Sequence, residues 1–206
     1  MVKGGKLLVK ASHEKYIPRE DIYLFNTGNA RKAWLCFGCR YIPRLHAHRF
    51  LVWAPNARAV SLVGDFNHWD RGATPMEPYE GGVWVCFVKG LEEGCLYKYC
   101  IHGADGRQVL KADPFAAWGE SSGETGASMV WSGGSFRWSD GGWLRRRAKR
   151  NFLESPMSIY EMHAGTWKGK PEDVTYRSLA ETLPAYLQDM GYTHVEFLPL
   201  TEYPFD

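Results

Sequence analysis

The turn "GDFNHWD" at residues 64–70 places a large aromatic ring among small polar groups. Trp69 stands close in sequence to Asp65, Asn67 and Asp70, whose carboxylate and amide oxygens can accept hydrogen bonds. A sugar ring packs its apolar C–H face on an exposed aromatic plane, while its hydroxyls need donors and acceptors at the rim. The turn therefore has the residue types of a carbohydrate-binding site.

The same turn has a structural interpretation of equal weight. Trp69 can cover a β-sandwich or pack against a neighbouring domain, because a tryptophan side chain buries a large apolar area. In that case Gly64 and Asn67 only shape a tight turn, which is a common use of these residue types. The residues of the turn leave both interpretations open.

A candidate metal site combines "CFGC" and "HAH", which lie close together within residues 36–48. Thiolates and imidazoles are zinc ligands, but the gap between these pairs is shorter than the usual zinc-finger spacing. We therefore favour core cysteines beside a surface loop. The chain has five cysteines, an odd number that indicates reduced thiols rather than a disulfide framework. The four candidate ligands are Cys36, Cys39, His46 and His48.

Charge and hydrophobicity argue against two classes of partner. The net charge of +2 gives no field strong enough to favour nucleic acid or a membrane surface. The apolar runs are far shorter than the roughly 20 residues that a membrane-spanning helix needs. The opening "MVKGGKLLVKASHEK" lacks the apolar core of a secretion signal, so we expect a cytoplasmic protein. Nothing in the composition indicates an oligomeric state.

Residues 48–132 are predicted to form an antiparallel β-sandwich. Short runs rich in β-branched and aromatic residues alternate there with turn signals, at intervals of roughly 8–12 residues. In "VWVCFV" at 83–88, strict alternation gives both faces of the strand apolar side chains, so both faces should be buried. One face carries Val83, Val85 and Phe87, and the other carries Trp84, Cys86 and Val88.

Residues 157–206 have the pattern of a strand, a helix and a second strand. "MSIYEMH" and "EFLPL" are candidate buried strands, and apolar residues at helical spacing lie between them. Ser178 and Glu181 have the spacing of a capping box, and Pro184 is expected to kink or divide the helix. Such βαβ units belong to parallel sheets covered by helices, so a second domain is predicted to begin here. The apolar stripe comprises Tyr176, Leu179, Leu183, Leu187 and Met190.

Two further segments lack a clear period. Residues 1–47 are interpreted as an N-terminal extension, and residues 133–156, rich in Gly, Ser and Arg, as a linker. Five of the six residues at 145–150 are basic. Because the whole chain is near neutral, a solvated linker or an interdomain ion-pairing surface is favoured over contact with nucleic acid.

Six segments carry a specific order and spacing: "DIYLFNTGNARKAW", "FLVWAPNARAVSLVGDFNHWD", "GLEEGCLYKYCI", "LKADPFA", "SIYEMHAGTW" and "YTHVEFLPLTEYPFD". Together they resemble the N-terminal part of 1,4-α-glucan (glycogen) branching enzymes, from about residue 20 onward. The resemblance implies an immunoglobulin-like sandwich that is a family 48 carbohydrate-binding module. It also implies that the βαβ unit opens an incomplete (β/α)8 barrel of glycoside hydrolase family 13. Isoamylases and trehalohydrolases share this layout, and a free-standing glycogen-binding or scaffolding module is a further alternative.

The activity implied by the resemblance is transfer of an α-1,4-glucan segment to a 6-hydroxyl, in glycogen synthesis and without a metal or cofactor. The reaction retains the anomeric configuration, which needs two carboxyl groups about 5 Å apart. In the family these carboxyl groups lie on later barrel strands, so no catalytic residue is assigned here and the chain itself is expected to be inactive. Glu161 is interpreted as an internal barrel contact. Residues expected at the rim of the active-site end are His163, Trp167, Glu202 and Asp206.

For the sandwich, the resemblance implies an α-glucan partner such as glycogen or amylose. Trp69 would be the stacking platform and Lys98 a donor to sugar hydroxyls. Lys98 alternates with Tyr97 and Tyr99 along a strand, so a lysine that merely faces solvent is the alternative. Related modules carry a second aromatic residue near the next turn, whereas "HGADGRQ" at 102–108 has none, so weak binding is expected.

Overall fold

The computed structural model describes residues 15–120, 125–133, 136–169 and 174–200. The chain divides into two compact units, residues 1–135 and residues 136–206, which are described separately below. In the part of the chain that is described, no helix is long and apolar enough to cross a membrane.

The first unit is an antiparallel β-sandwich, as predicted. The first sheet has the order β1-β2-β5-β4, and the second has the order β3-β6-β9-β8, with β7 also paired to β6. All pairs in both sheets are antiparallel. The strands are β1 (Gly38–Ile42), β2 (Ala47–Trp53), β3 (Ala57–Gly64), β4 (Glu77–Tyr79), β5 (Val83–Lys89), β6 (Leu96–Gly103), β7 (Gln108–Lys111), β8 (Trp118–Gly119) and β9 (Ser128–Met129).

Strand β5 is buried on both faces, which confirms the interpretation of its alternating residues. Trp84, Cys86 and Val88 face the core between the sheets, together with Phe50 of β2 and Tyr97 of β6. The opposite face of the same strand belongs to a second hydrophobic cluster on the other side of the first sheet. Val83, Val85 and Phe87 pack there.

The second cluster is covered by residues that precede the first sheet. Helix α1 (Arg19–Asn26) places Ile22 against it, and Ile17 and Phe37 flank the same apolar surface. Strand β1 therefore begins ten residues before the predicted start of the sandwich at residue 48, and part of the expected extension at 1–47 packs on the sheet. This covering segment lacks periodicity because its buried residues come from a short helix and irregular turns.

Arg49 ties the covering segment to β2. Its guanidinium is buried and donates hydrogen bonds to the carbonyl oxygens of Tyr16 and Cys36, at 2.7 and 2.5 Å. Burial of a charged group is costly unless hydrogen bonds compensate for lost water. The two carbonyls supply part of that compensation and fix both ends of the covering segment, while the buried Nε has no hydrogen-bond partner among the described residues.

The second unit contains the predicted βαβ motif. Its elements are α2 (Gly141–Lys149), β10 (Ile159–Met162), α3 (Tyr176–Asp189) and β11 (His194–Phe197). Strands β10 and β11 are parallel, in the register of Ile159 with His194. Helix α2 lies within the segment 133–156 that was interpreted as a linker.

Helix α3 is continuous through Pro184, so this residue does not divide the helix, and a kink there stays a prediction. The expected capping box of Ser178 with Glu181 was wrong. The capping box is formed by Thr175 with Ser178, because the Thr175 hydroxyl accepts the Ser178 N–H and the Ser178 hydroxyl accepts the Thr175 N–H. The helix buries Leu179 and Leu183 of the predicted apolar stripe in a small core.

Candidate carbohydrate-binding site

Asn67 organises the turn that follows β3. Its side-chain oxygen accepts the backbone N–H of Gly64 at 2.9 Å, and its amide nitrogen donates to the Leu62 carbonyl and the Thr74 hydroxyl, both at 2.9 Å. These bonds engage both polar atoms of the Asn67 side chain within the protein. Asn67 therefore shapes the turn, and the prediction that it could serve a sugar hydroxyl is not supported by its contacts.

Trp69 is half-buried and held in an uncommon backbone conformation. Its φ angle is 59°, in the left-handed region that most non-glycine residues avoid, and its N–H donates to the Gly64 carbonyl at 3.0 Å. The indole Nε1 donates to Oδ1 of Asp65 at 3.0 Å. The ring is therefore positioned before any ligand arrives, with part of its surface exposed and part packed against the turn.

The turn also forms one side of a shallow pocket of about 290 Å³. The other side is the loop between β5 and β6, where Glu92 and Glu93 add carboxylates. Exposed His68, whose φ is 54°, stands at the same turn. The remaining lining residues are Asp65, Phe66, Gly90, Leu91 and Cys95.

Lys98 is half-buried on β6 and is not a simple solvent-facing lysine. Its ammonium group donates to the carbonyl oxygen of Thr125. An ammonium has three N–H donors, so this bond leaves two for other acceptors. The turn with Trp69 is linked to the same strand, because Oδ2 of Asp65 accepts the N–H of Leu96 at 2.9 Å.

The β6–β7 turn has no aromatic residue, but two tryptophans lie elsewhere on the same sheet. The ring centroids of Trp118 and Trp131 are 5.1 Å apart. The two residues are far apart in sequence and outside that turn, so no local sequence pattern indicates that they pair. Pairing of β8 with β9 brings them together.

In the second unit, His163 and Trp167 follow β10 directly, at its carboxyl end. Trp167 is buried, and its Nε1 donates to the hydroxyl of Tyr160 at 3.1 Å. His163 is half-buried, and its Nδ1 has no hydrogen-bond partner among the described residues. The other two expected rim residues, Glu202 and Asp206, lie outside the described residues.

Two carboxylates stand opposite each other on the parallel strands of this unit. Glu161 of β10 and Glu196 of β11 are register partners, and both side chains are exposed within the described unit. Register partners of neighbouring strands point to the same face of a sheet. The interpretation of Glu161 as an internal barrel contact stays a prediction.

Comparison with known families finds a match to most of the sandwich. The profile of carbohydrate-binding module 48, the isoamylase N-terminal domain, matches residues 36–116. This range includes β1 to β7, the turn with Trp69 and the strand with Lys98. Over residues 36–116 the sandwich is therefore similar to carbohydrate-binding module 48, and this range is called the module below.

The resemblance extends from this module through the second unit. The chain is 42% identical over 222 residues to 1,4-alpha-glucan branching enzyme GlgB 1 of Clostridium perfringens strain 13, covering 100% of this chain and 33% of that protein. It is 46% identical over 190 residues to the branching enzyme GlgB of Rubrobacter xylanophilus, covering 90% and 26%. Among solved structures, a Salmonella typhimurium protein described as an alpha amylase has a TM-score of 0.57 and 29% identity, covering 81% of this chain and 25% of that one. The chain thus spans about a third or less of these relatives.

Inside the module, Asp113 is a buried carboxyl group that the sequence did not single out. Its Oδ2 accepts hydrogen bonds from the hydroxyls of Tyr97 and Tyr99, at 2.7 and 3.1 Å, and its Oδ1 accepts the N–H of Phe115 at 2.8 Å. Burial raises the pKa of Asp113, although these donors oppose the shift. The carboxyl group joins β6 to the segment after β7 and is a structural element of the module.

The candidate zinc ligands of the module do not assemble. Within the described ranges, no group of three or more His, Cys, Asp or Glu residues is arranged to hold a metal ion. Cys36 and Cys39 are buried, and burial raises the pKa of Cys36 to about 11. Both cysteines are core residues, as favoured from the sequence.

Proposed function

We propose that this chain is the N-terminal portion of a 1,4-α-glucan branching enzyme and that its module binds α-glucan. The observation that carries the proposal is similarity to branching enzymes along 100% of the chain, at 42% identity, which covers the module and the βαβ unit together. A carbohydrate-binding module alone would explain only the first unit. The parallel pairing of β10 with β11 supports the second half of the proposal.

The proposed partner of the module is an α-glucan polysaccharide such as glycogen or amylose. Trp69 offers a partly exposed ring whose orientation Asp65 fixes, which reduces the entropy lost when a sugar stacks on it. Lys98 offers the remaining N–H donors of its ammonium group. We assign no nucleic-acid or membrane partner, and we place the protein in the cytoplasm.

The proposed role of the second unit is to begin a (β/α)8 catalytic barrel, with β10 and β11 as its first strands. Active sites of such barrels form from the loops at the carboxyl ends of the strands. His163 and Trp167 follow β10, and Glu202 and Asp206 follow β11, so all four would line the rim of that site. The carboxylates of the retaining reaction would come from later strands.

Isoamylase is the alternative that a specific observation favours, because the module family is also known as the isoamylase N-terminal domain. An isoamylase hydrolyses α-1,6 branches, whereas a branching enzyme forms them. Expression of the complete gene and incubation of the product with linear amylose and, separately, with glycogen distinguishes the two activities. New α-1,6 linkages support branching, while release of linear chains from glycogen without new linkages would overturn it.

Affinity electrophoresis tests whether the module binds glucan. The purified chain should migrate more slowly in a native gel that contains glycogen than in a plain gel, and it should do so relative to a reference protein without a sugar site. Equal mobility in both gels, confirmed by calorimetry with maltoheptaose, would contradict glucan binding by the module.

A further inference from the structure

Trp118 and Trp131 form an exposed aromatic pair on the second sheet. Their rings are inclined at 47°, with centroids 5.1 Å apart, and Trp118 is 49% exposed. Trp131 is half-buried. The two rings form one continuous apolar surface that is partly in contact with water, and a continuous exposed apolar patch marks an interaction site more often than a single exposed side chain does.

The strand register places this pair on the same sheet face as Lys98. Trp118 pairs with Met129, and Met129 pairs with Leu96, so these side chains share one face. Lys98 lies two residues beyond Leu96, and Trp131 two residues beyond Met129, which keeps both on that face. The intervening residues point the other way, since Tyr97, Ser128 and Val130 are buried.

Polar groups border the pair. Glu120, two residues after Trp118, accepts hydrogen bonds from the N–H and the hydroxyl of Thr125. The carbonyl oxygen of Thr125 accepts a hydrogen bond from the Lys98 ammonium. On the other side, Glu93 accepts the backbone N–H of Ser132 at 3.3 Å, next to Trp131. Apolar rings edged by carboxylates and an ammonium match the requirements of a sugar, with its apolar ring faces and polar hydroxyls.

We propose that Trp118 and Trp131 form a glucan-binding platform, on which successive glucose units of an α-1,4-glucan stack while Lys98 and Glu120 bond their hydroxyls. The proposal rests on the proposed function of the module and names the surface that performs it. It supplies the second aromatic contact that the β6–β7 turn lacks. An α-1,4-linked chain curves, so the faces of neighbouring glucose units are inclined to each other, as the two indole rings are.

Calorimetric titration of the full chain with maltoheptaose tests this platform. Trp118→Ala should weaken binding about tenfold, as expected when an aromatic contact at a binding site is lost. Trp118→Phe keeps an aromatic ring and should retain most of the affinity. Trp34→Ala is the matched control, because Trp34 is 54% exposed in the same unit and lies outside the platform. It should leave the affinity unchanged.

A second measurement does not depend on how well the variants fold. In the ¹⁵N-labelled chain, the indole N–H signals of Trp118 and Trp131 should shift on addition of maltoheptaose, and the Trp34 signal should stay in place. If maltoheptaose binds but only Trp69→Ala weakens it and the platform signals do not move, the platform is refuted while glucan binding by the module stands. If the unmodified chain binds no maltoheptaose, glycogen or amylose, both proposals fail.

Discussion

The carboxylate of Asp65 links the indole of Trp69 to the strand that carries Lys98. Oδ1 accepts the Trp69 Nε1–H at 3.0 Å, and Oδ2 accepts the N–H of Leu96 at 2.9 Å. One side chain therefore positions the ring and the first residue of β6 together. This relationship makes Trp69 more than a core residue, because its orientation is set by a polar group at the surface.

Replacement of Trp69 tests how much of its ring serves a ligand. Trp69→Ala should weaken retention on glycogen by about 1–3 kcal/mol, as expected for an aromatic contact at a binding site. Since the ring is only half-buried, the free energy of unfolding should fall by about 1 kcal/mol. Native gels with glycogen and urea denaturation of the same samples measure the two effects.

Trp69→Phe is the matched control for this change. Phenylalanine keeps an apolar ring but has no N–H for Asp65, so it should retain part of the binding and lose ring orientation. A Trp69→Ala variant that binds glycogen as tightly as the parent, or that unfolds before binding can be measured, would show that Trp69 packs rather than stacks on sugar.

Arg49 should be the residue on which attachment of the covering segment depends most. Arg49→Met keeps the apolar stem but removes the guanidinium that donates to the carbonyl groups of Tyr16 and Cys36. We expect a loss of about 2 kcal/mol in the free energy of unfolding, because the bond to the Cys36 carbonyl is buried and its loss is costly. Urea denaturation checks this, with exposed Arg58→Met as a control that should change stability little. Equal stability of the two variants would mean that the hydrogen bonds of Arg49 to the covering segment do not stabilise the fold.

The contrast between β5 and the covering segment explains what the sequence could reveal. The alternation of residues in β5 predicts that both faces of the strand are buried. The apolar stripe between the strands of the βαβ unit predicts the helix α3 and its buried face. Residues 15–37 pack through a short helix and turns, which leave no period to detect. The Trp118–Trp131 pair depends on which short strands align, and no local pattern encodes that register.

The raised pKa of Asp113 predicts a pH-dependent contribution to stability. A carboxyl group whose pKa is higher in the folded than in the unfolded chain favours folding most when it is protonated, below its ordinary pKa near 3.8. That contribution is lost as the pH rises through the folded-state pKa. The difference in unfolding free energy between the parent and Asp113→Asn should therefore fall as pH rises from about 4, and then level off.

Urea denaturation at a series of pH values between about 4 and 8 measures this difference. Tyr97→Phe serves as a second variant, because loss of its hydroxyl removes a hydrogen bond that lowers the pKa of Asp113. When Asp113→Asn is compared with Asp113 in the Tyr97→Phe protein, the difference in unfolding free energy should therefore keep falling to a higher pH than in the parent. A difference that is constant across the range, or that grows with pH, would show that burial does not dominate the titration of Asp113.

The last prediction concerns Glu161 and Glu196, which are register partners on neighbouring parallel strands. Neighbouring strands lie about 4.8 Å apart, so carboxyl groups at such positions can approach the separation of about 5 Å that retention requires. Spacing alone does not make a catalytic pair, because the nucleophile and the acid must also face opposite sides of one glycosidic bond within a closed site. Strands β10 and β11 supply only two of the loops from which a barrel active site is built.

The purified chain, incubated with amylose, should therefore form no α-1,6 linkages above a blank, as measured by debranching and chain-length analysis. Glu161→Gln and Glu196→Gln should give the same blank value. If the chain did form branches and either substitution abolished that activity, the catalytic carboxylates would lie on these first two strands. The assignment of the reaction to later strands would then be wrong.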